Sequence, residues 1–350
     1  NGMLVQNAVG IGVIQPRSML DVGGTIRFGD GSVQSTSANF LGSKTNGIWD
    51  KMGTFFGESD FNMNNDVYKP ITNDTIGTYV VDCNNDGSII YVGTPISTVE
   101  NIGNVGNVTA YRWCNKQWCI MGETMVGDVS SAIQNSYTGE QFGTSISVDG
   151  TGHTIIIGSP LASKIDETTG SGLQNCGKIS IYKWQNSDWT NVYTYYGNTS
   201  NMYLGQTVKV NKNGDTYLVG GRGLNYIYCI HNELVNFQYT NEYQVDSIDK
   251  TTGEISTENN YGSSLDLNRE GTVIAVGCSN ENVTVGSNTY NAGTVYMYLK
   301  RFNSEKNKLV FDSNYFIKIN APDPTNNQRF GSSVSLTSSG LRIAIGGPNF

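Results

Sequence analysis

Proline, histidine and charge are all scarce in this sequence: 7 prolines, 2 histidines and 15% charged residues in 350. Each shortage removes a class of protein. No run of 18 apolar residues occurs, so no segment reads as a membrane-spanning helix. Lysine and arginine never cluster beyond two adjacent positions, and the net charge is −8 with a pI near 4.8. Gripping phosphates needs a basic surface, so nucleic acid is not an expected partner. No ten-residue stretch carries a convincing 3.6-residue apolar period, which leaves helices without a signal. No Cys-x-x-Cys pair exists, although there are six cysteines: Cys83, Cys114, Cys119, Cys176, Cys229 and Cys278. Cys114 and Cys119 flank a short turn where a cross-hairpin disulfide is conceivable. The reading preferred on spacing is free buried thiols at scattered strand positions.

What the chain does have is glycine, 42 of them, with 20 tyrosines and many β-branched residues. That mixture favours strands and turns, and the class is all-β. A repeat decides the architecture. Five stretches share one pattern: Ile76-Gly77 to Gly93, Phe142-Gly143 to Gly158, Leu204-Gly205 to Gly220, Tyr261-Gly262 to Gly277 and Phe330-Gly331 to Gly346. The outer glycines lie 15 residues apart in four of them and 16 in the first. Each reads as an alternating strand, a Gly-containing turn and an apolar strand, a hairpin whose second strand is buried on both faces.

A second pattern follows the first four hairpins, opening at Gly106, Gly177, Gly223 and Gly293, with Tyr111, Tyr182, Tyr228 and Tyr298 five residues on. A weaker fourth strand comes next, clearest at Trp118–Gly122 and Trp189–Tyr193. Four antiparallel strands per unit, repeating every 57 to 69 residues, predict a β-propeller of four-stranded blades over residues 41–350. The segment Gly47-Ile-Trp49-Asp-Lys-Met52-Gly53 matches the fourth-strand pattern without three strands before it, and the sequence stops after the hairpin of the fifth unit. The expectation is that a strand near residues 47–56 closes the last blade, that the chain is cut within a blade, and that the complete ring has seven blades or six.

The pattern aromatic-Gly-x-Ser, followed by Ile343-Ala-Ile-Gly346-Gly-Pro348 or Ile157-Gly158-Ser-Pro160, resembles the FG-GAP repeat of integrin-type propellers. The resemblance covers about 300 residues, and the units at 204 and 261 lack the proline. Such repeats often hold calcium in a D-x-D-x-D-G loop. Here only Asp82-Cys-Asn84-Asn-Asp86-Gly87 has that look, and it lacks a later carboxylate to finish a cage. Turn chemistry accounts for Asn, Asp and Gly there more simply, so no metal or cofactor residue is assigned.

Residues 1–40 are the other recognisable piece. Val9-Gly-Ile-Gly12, Pro16, Met19-Leu-Asp-Val22-Gly-Gly-Thr-Ile-Arg27 and Asp30-Gly-Ser-Val-Gln34 look like the stalk element of phage tail fibres and of large fibre proteins of giant viruses and bacteria. In those families it forms an intertwined, usually trimeric, β-rich shaft. Leu20, Val22, Ile26 and Phe28 alternate with small or polar residues, as in a strand whose apolar face needs a partner chain.

Neither His153 nor His231 has a serine or cysteine nucleophile in a recognisable context, and no catalytic residue is assigned. The segments 95–105, 160–176 and 278–292, rich in Asn, Ser, Thr and Gly, suit glycan or protein contact. Sequons stand at Asn73, Asn107, Asn198 and Asn282. The expectation is a non-catalytic structural or attachment component of a viral fibre or spike, on the virion surface or otherwise extracellular. Its expected partners are further copies of itself as a homotrimer, other capsid or fibre proteins, and a host-surface glycan or protein. The alternative is a secreted or cell-surface adhesion propeller, calcium-dependent through Asp82, Asn84 and Asp86.

Overall fold

A computed structural model describes residues 79–349 except 116, 130–138, 166–171, 222–223, 236–237, 251–259 and 305–307, together with four short strands nearer the N-terminus. The chain divides into two compact units, Asn1–Asn62 and Met63–Phe350. In the first, Val9–Ile11 pairs in parallel with Leu20–Val22, and Thr25–Arg27 pairs antiparallel with Val33–Ser35. The strand expected near residues 47–56 lies outside the described residues, as do Phe28 and Asn73.

The second unit is all-β, a succession of propeller blades. Blade one consists of Val80–Cys83, Ile89–Thr94, Asn107–Cys114 and an outer strand in two pieces, Gln117–Ile120 and Met125–Val126. Blade two runs Ser145–Val148, Thr154–Ser159, Lys178–Gln185 and Asp188–Tyr196. Blade three runs Thr207–Val210, Thr216–Gly220, Tyr226–Val235 and Gln238–Asp249. Blade four runs Tyr261–Leu267, Val273–Cys278, Thr294–Asn303 and Lys308–Asn320, and the fifth blade begins with the hairpin Ser333–Leu336 and Ile343–Gly346. In each four-stranded sheet the strands pair antiparallel in chain order, and the first strand of each blade lies beside the first strand of the next.

The cores lie between blades, and alternation along the second strand feeds both neighbours. Ile155 and Ile157 pack with Tyr91, Val108, Ala110 and Phe142 between blades one and two, while Ile156 turns the other way onto Val208, Val219 and Ile230 of blade three. Leu218 of blade three joins Leu265, Ile274, Val276 and Tyr296 of blade four. All six residues of Thr154–Ser159 are buried, which is why its centre reads as the apolar run Ile155-Ile156-Ile157.

The repeated glycines mark the contacts between neighbouring blades. The glycine near the end of one second strand meets the glycine that opens the next blade, at Gly93 and Gly143, Gly158 and Gly205, Gly220 and Gly262, and Gly277 and Gly331. A Cβ on the first of each pair would drive into the carbonyl oxygen of the second. The second glycine also sits in the left-handed region (φ +91°, +87°, +82° and +86° at Gly143, Gly205, Gly262 and Gly331), at the third position of a tight turn that demands it. Side chains add to these junctions. Asp82 Oδ2 accepts the Val148 N–H at 2.9 Å, Ser147 Oγ accepts the Val210 N–H at 3.2 Å, and Asp266 Oδ2 accepts the Leu336 N–H at 2.5 Å.

One expectation needs correcting. Cys114 and Cys119 are joined in a disulfide across the turn between Asn107–Cys114 and Gln117–Ile120, with Cα atoms 6.1 Å apart. Spacing alone favoured free thiols. In the register Arg112 faces Cys119 and Cys114 faces Gln117, so the two cysteines are diagonal neighbours on one side of the hairpin. Trp113 and Trp118 face each other directly, with ring centroids 5.1 Å apart. Cys83, Cys176, Cys229 and Cys278 are free. The denatured chain should therefore titrate four thiols without reductant and six after reduction; six from the outset would refute the pairing. The segments 160–176 and 278–292 carry the hairpins Lys164–Ile165 with Gly172–Leu173 and Asn282–Val285 with Asn288–Asn291.

Candidate functional site

The strand directions give the unit two dissimilar faces. On one, here called the turn face, lie the short turns between first and second strands and between third and fourth. On the other, the loop face, lie the longer connections between second and third strands and between blades.

The turn face is closed by its own backbone. Asn84, Asp149, Asn211 and Asn268 each open an inner turn and turn their side-chain oxygen back onto it. Asp149 Oδ1 accepts the His153 and Thr154 N–H groups at 3.0 and 3.1 Å, Asn211 Oδ1 those of Asp215 and Thr216 at 3.0 Å, and Asn268 Oδ1 those of Thr272 and Val273 at 2.8 and 2.9 Å. Adjacent turns are linked as well: the Asn85 N–H donates to Gly150 O, Gly150 N–H to Lys212 O, and Arg269 N–H to Ser338 O. These clasps use the very residues that suggested calcium. Asn84 Oδ1 accepts the Ile89 N–H at 3.0 Å, and Asp86 Oδ1 accepts from the Ser88 N–H and hydroxyl at 3.0 and 2.6 Å. Asp82, meanwhile, holds the junction to blade two. The three side chains serve separate N–H groups rather than a common point.

The sequence separates the two histidines, and so does the fold. His153 is exposed in the inner turn of blade two, whereas His231 lies within Tyr226–Val235. There it stands 3.9 Å from Asp246 of the neighbouring strand, and both line a small cavity of about 30 Å³ with Cys229, Lys300 and Phe311. Sequence reasoning missed this grouping, because Asp246 joins it only through the pairing of the two outer strands. Burial pushes the Cys229 thiol up to about 12, so it is held protonated, opposite to what a nucleophilic thiol needs.

Beneath the loop face lie two buried ion clusters. Lys178 Nζ meets Glu140 Oε2 at 2.7 Å, while Glu140 Oε1 accepts the Asp128 N–H at 3.1 Å. Glu281 is gripped by Lys318 at 2.8 Å, by the Tyr296 hydroxyl at 2.6 Å and by Lys250 at 3.1 Å. Glu140, Lys178, Lys250 and Glu281 are nearly inaccessible to solvent while Lys318 is partly exposed, and each carboxylate lies against a lysine, so the clusters brace the blades rather than present a reactive group.

The loop face also carries an open cleft of about 260 Å³, lined by Gln206, Thr207 and Gly221 of blade three and by Asn260, Tyr261, Gly262 and Ser263 of blade four. Gly221 follows the glycine that ends its second strand. In blades one, two and four that place is held by Thr94, Ser159 and Cys278. Asn260 is in the left-handed region (φ +54°), as are its counterparts Gln141, Tyr203 and Arg329, each one residue ahead of the aromatic or leucine that precedes a junction glycine.

No family model and no curated protein matches the chain. Among solved structures, it is similar to the β-propeller domain of Cps50 (Swd1) from Myceliophteria thermophila, at 9% identity and a TM-score of 0.43, over 80% of this chain and 65% of that one. It is also similar to a Bacteroides fragilis protein described as a candidate 6-phosphogluconolactonase, at 16% identity and a TM-score of 0.30, over 49% of this chain and 41% of that one. The chain thus spans less than two thirds of either neighbour. The blade assignment rests on the strand pairing itself.

Of the segments expected to make contacts, 160–176 and 278–292 emerge on the loop face with their hairpins. Among the sequons there, Asn198 is exposed in the connection from blade two to blade three, whereas Asn107 bonds to Thr94 at 2.5 Å and to Ser97 at 2.9 Å.

Proposed function

We propose that this chain is a non-catalytic structural and attachment component of a viral fibre or spike, with the propeller as its binding head and the N-terminal segment as an oligomeric stalk. The observation that carries the reading is the order of the two pieces. A sequence resembling a fibre-stalk element, with Val9–Ile11 and Leu20–Val22 paired in parallel, precedes a propeller. Strands this short bury little apolar surface within one chain, so a stalk built from them draws its stability from neighbouring copies. The loop face supports the role of head, since it bears the variable hairpins and a polar cleft, whereas the turn face spends its polar groups on its own clasps. The place of action is then the virion surface. The expected partners are two further copies of the chain, other fibre or capsid proteins, and a glycan or protein of the host surface.

Sedimentation of the full chain and of a variant lacking residues 1–40 tests this. The expected result is a trimer for the full chain and a folded monomer after the deletion. A monomeric full chain, or a trimer that survives the deletion, refutes the stalk.

A further inference from the structure

We propose that the loop-face cleft between blades three and four binds a single neutral sugar ring. This rests on the reading of the propeller as a binding head and names the chemistry of its ligand. The lining is the first argument. Two amides, Gln206 and Asn260, and two hydroxyls, Thr207 and Ser263, face a space of about 260 Å³ that, among the described residues, no carboxylate, lysine or arginine lines. Amide and hydroxyl groups both donate and accept, which suits the vicinal hydroxyls of a sugar, whereas an anionic or cationic ligand would find no counter-charge in the described lining.

The two amides are also free to act. Among the described residues, neither Gln206 nor Asn260 uses its side-chain amide in a hydrogen bond; their turns are closed by backbone groups, Gln206 N–H to Tyr203 O at 3.2 Å and Ser263 N–H to Asn260 O at 3.0 Å. The hydroxyls make only long contacts: Thr207 3.4 Å to Ser263 O, and Ser263 3.4 Å to Ser279 Oγ and 3.5 Å to Gly277 O. By contrast, Thr144, the counterpart of Gln206 in blade two, spends its hydroxyl on Gln141 O at 2.7 Å.

The glycines shape the space. Gly221 leaves open the place that a side chain fills in blades one, two and four, and Gly262 lets the backbone form the floor beside it. Tyr261 below is buried, with its hydroxyl 2.8 Å from that of Tyr298, so it supports the floor without reaching the ligand. The volume falls under the roughly 300 Å³ at which pockets for drug-sized ligands begin, which suits one ring and not an oligosaccharide. Peptide capture needs a free strand edge or an apolar pocket, and this lining offers neither.

The test is saturation-transfer NMR on the full chain with D-glucose, D-galactose, D-mannose and N-acetyl-D-glucosamine, and with N-acetylneuraminic acid as a charged comparison. At least one neutral sugar should bind with a Kd on the order of millimolar, the range expected for a small ligand held by few contacts. The double variant Gln206→Ala/Asn260→Gly should weaken that binding about tenfold or more. Glycine keeps the left-handed backbone at 260, so the melting temperature should stay that of the parent. No transfer to any neutral sugar, transfer to the acid alone, or equal binding by the variant would each overturn the proposal. Failure here with an intact trimer removes only the sugar cleft; sugar binding by a monomeric chain removes only the stalk.

Discussion

Replacing Gly158 by valine should leave the chain insoluble, or lower its melting temperature by roughly 10 °C, a loss of about 4 kcal/mol or more. Gly158 is the penultimate residue of the second strand of blade two. A Cβ there falls on the Gly205 carbonyl oxygen and on the Ser145 hydroxyl, and that hydroxyl itself donates to the same carbonyl at 2.6 Å. The obstacle is backbone, and the Gly205 N–H is bonded in turn to Gly220 O at 3.0 Å, so the neighbouring blade cannot withdraw without breaking its own hairpin. Flexible side chains relieve overpacking for about 1–3 kcal/mol, but a backbone-to-backbone overlap has no such relief. The control is Gly103→Ala, where a Cβ meets nothing within 4 Å and the change should stay within about 0.5 kcal/mol. Thermal melting and soluble yield compare the two. Equal stability of both variants would mean that blades two and three do not meet at these glycines.

The same contact explains why the architecture is legible in the sequence. Blade junctions are backbone approaches, and backbone approaches leave glycine as their mark, so the interval from Gly143 to Gly158 or from Gly262 to Gly277 reports the inner hairpin directly. The apolar run Ile155-Ile156-Ile157 follows from a strand that supplies side chains to the cores on both sides. Asn211 and Asn268 read correctly as turn residues, although their clasping of two N–H groups apiece is visible only in three dimensions. What escapes sequence reasoning depends on partners far apart in the chain. Asp246 reaches His231 because the outer strands of blade three pair, and the register that sets Cys114 diagonal to Cys119 decides their disulfide. The cleft escapes for a subtler reason. Its signal is an absence, the missing side chain at Gly221 beside amides with nothing to bind, and a second glycine after the junction glycine does not announce a cleft in the sequence.

Glu281→Gln should destabilise the protein by about 3–5 kcal/mol at neutral pH, in proportion to the burial of its partners. The side chain of Lys250 is wholly inaccessible, and it reaches Glu281 Oε2 at 3.1 Å from the chain segment leaving blade three. Lys318 and Tyr296, from the outer strands of blade four, hold the other oxygen. The carboxylate therefore joins two blades while neutralising charge that water does not reach. Glutamine keeps the shape and can still accept from Tyr296, so the loss isolates the charge. Lys250→Met should cost less, because Lys318 still neutralises Glu281. Combining the two substitutions should recover much of the loss, as a double-mutant cycle in urea would measure. The pH dependence adds a second signature. Burial opposes ionisation of Glu281, yet the hydrogen bonds from Lys318 and Tyr296 and the charge of Lys250 hold its pKa below the ordinary 4.5. A depressed carboxylate binds fewer protons folded than unfolded, so its stabilisation is complete above about 4.5 and fades as the pH falls through the lowered value. The gap between parent and Glu281→Gln should accordingly be widest near neutrality and shrink in acid. A gap that is constant with pH would assign the loss to packing, not to charge.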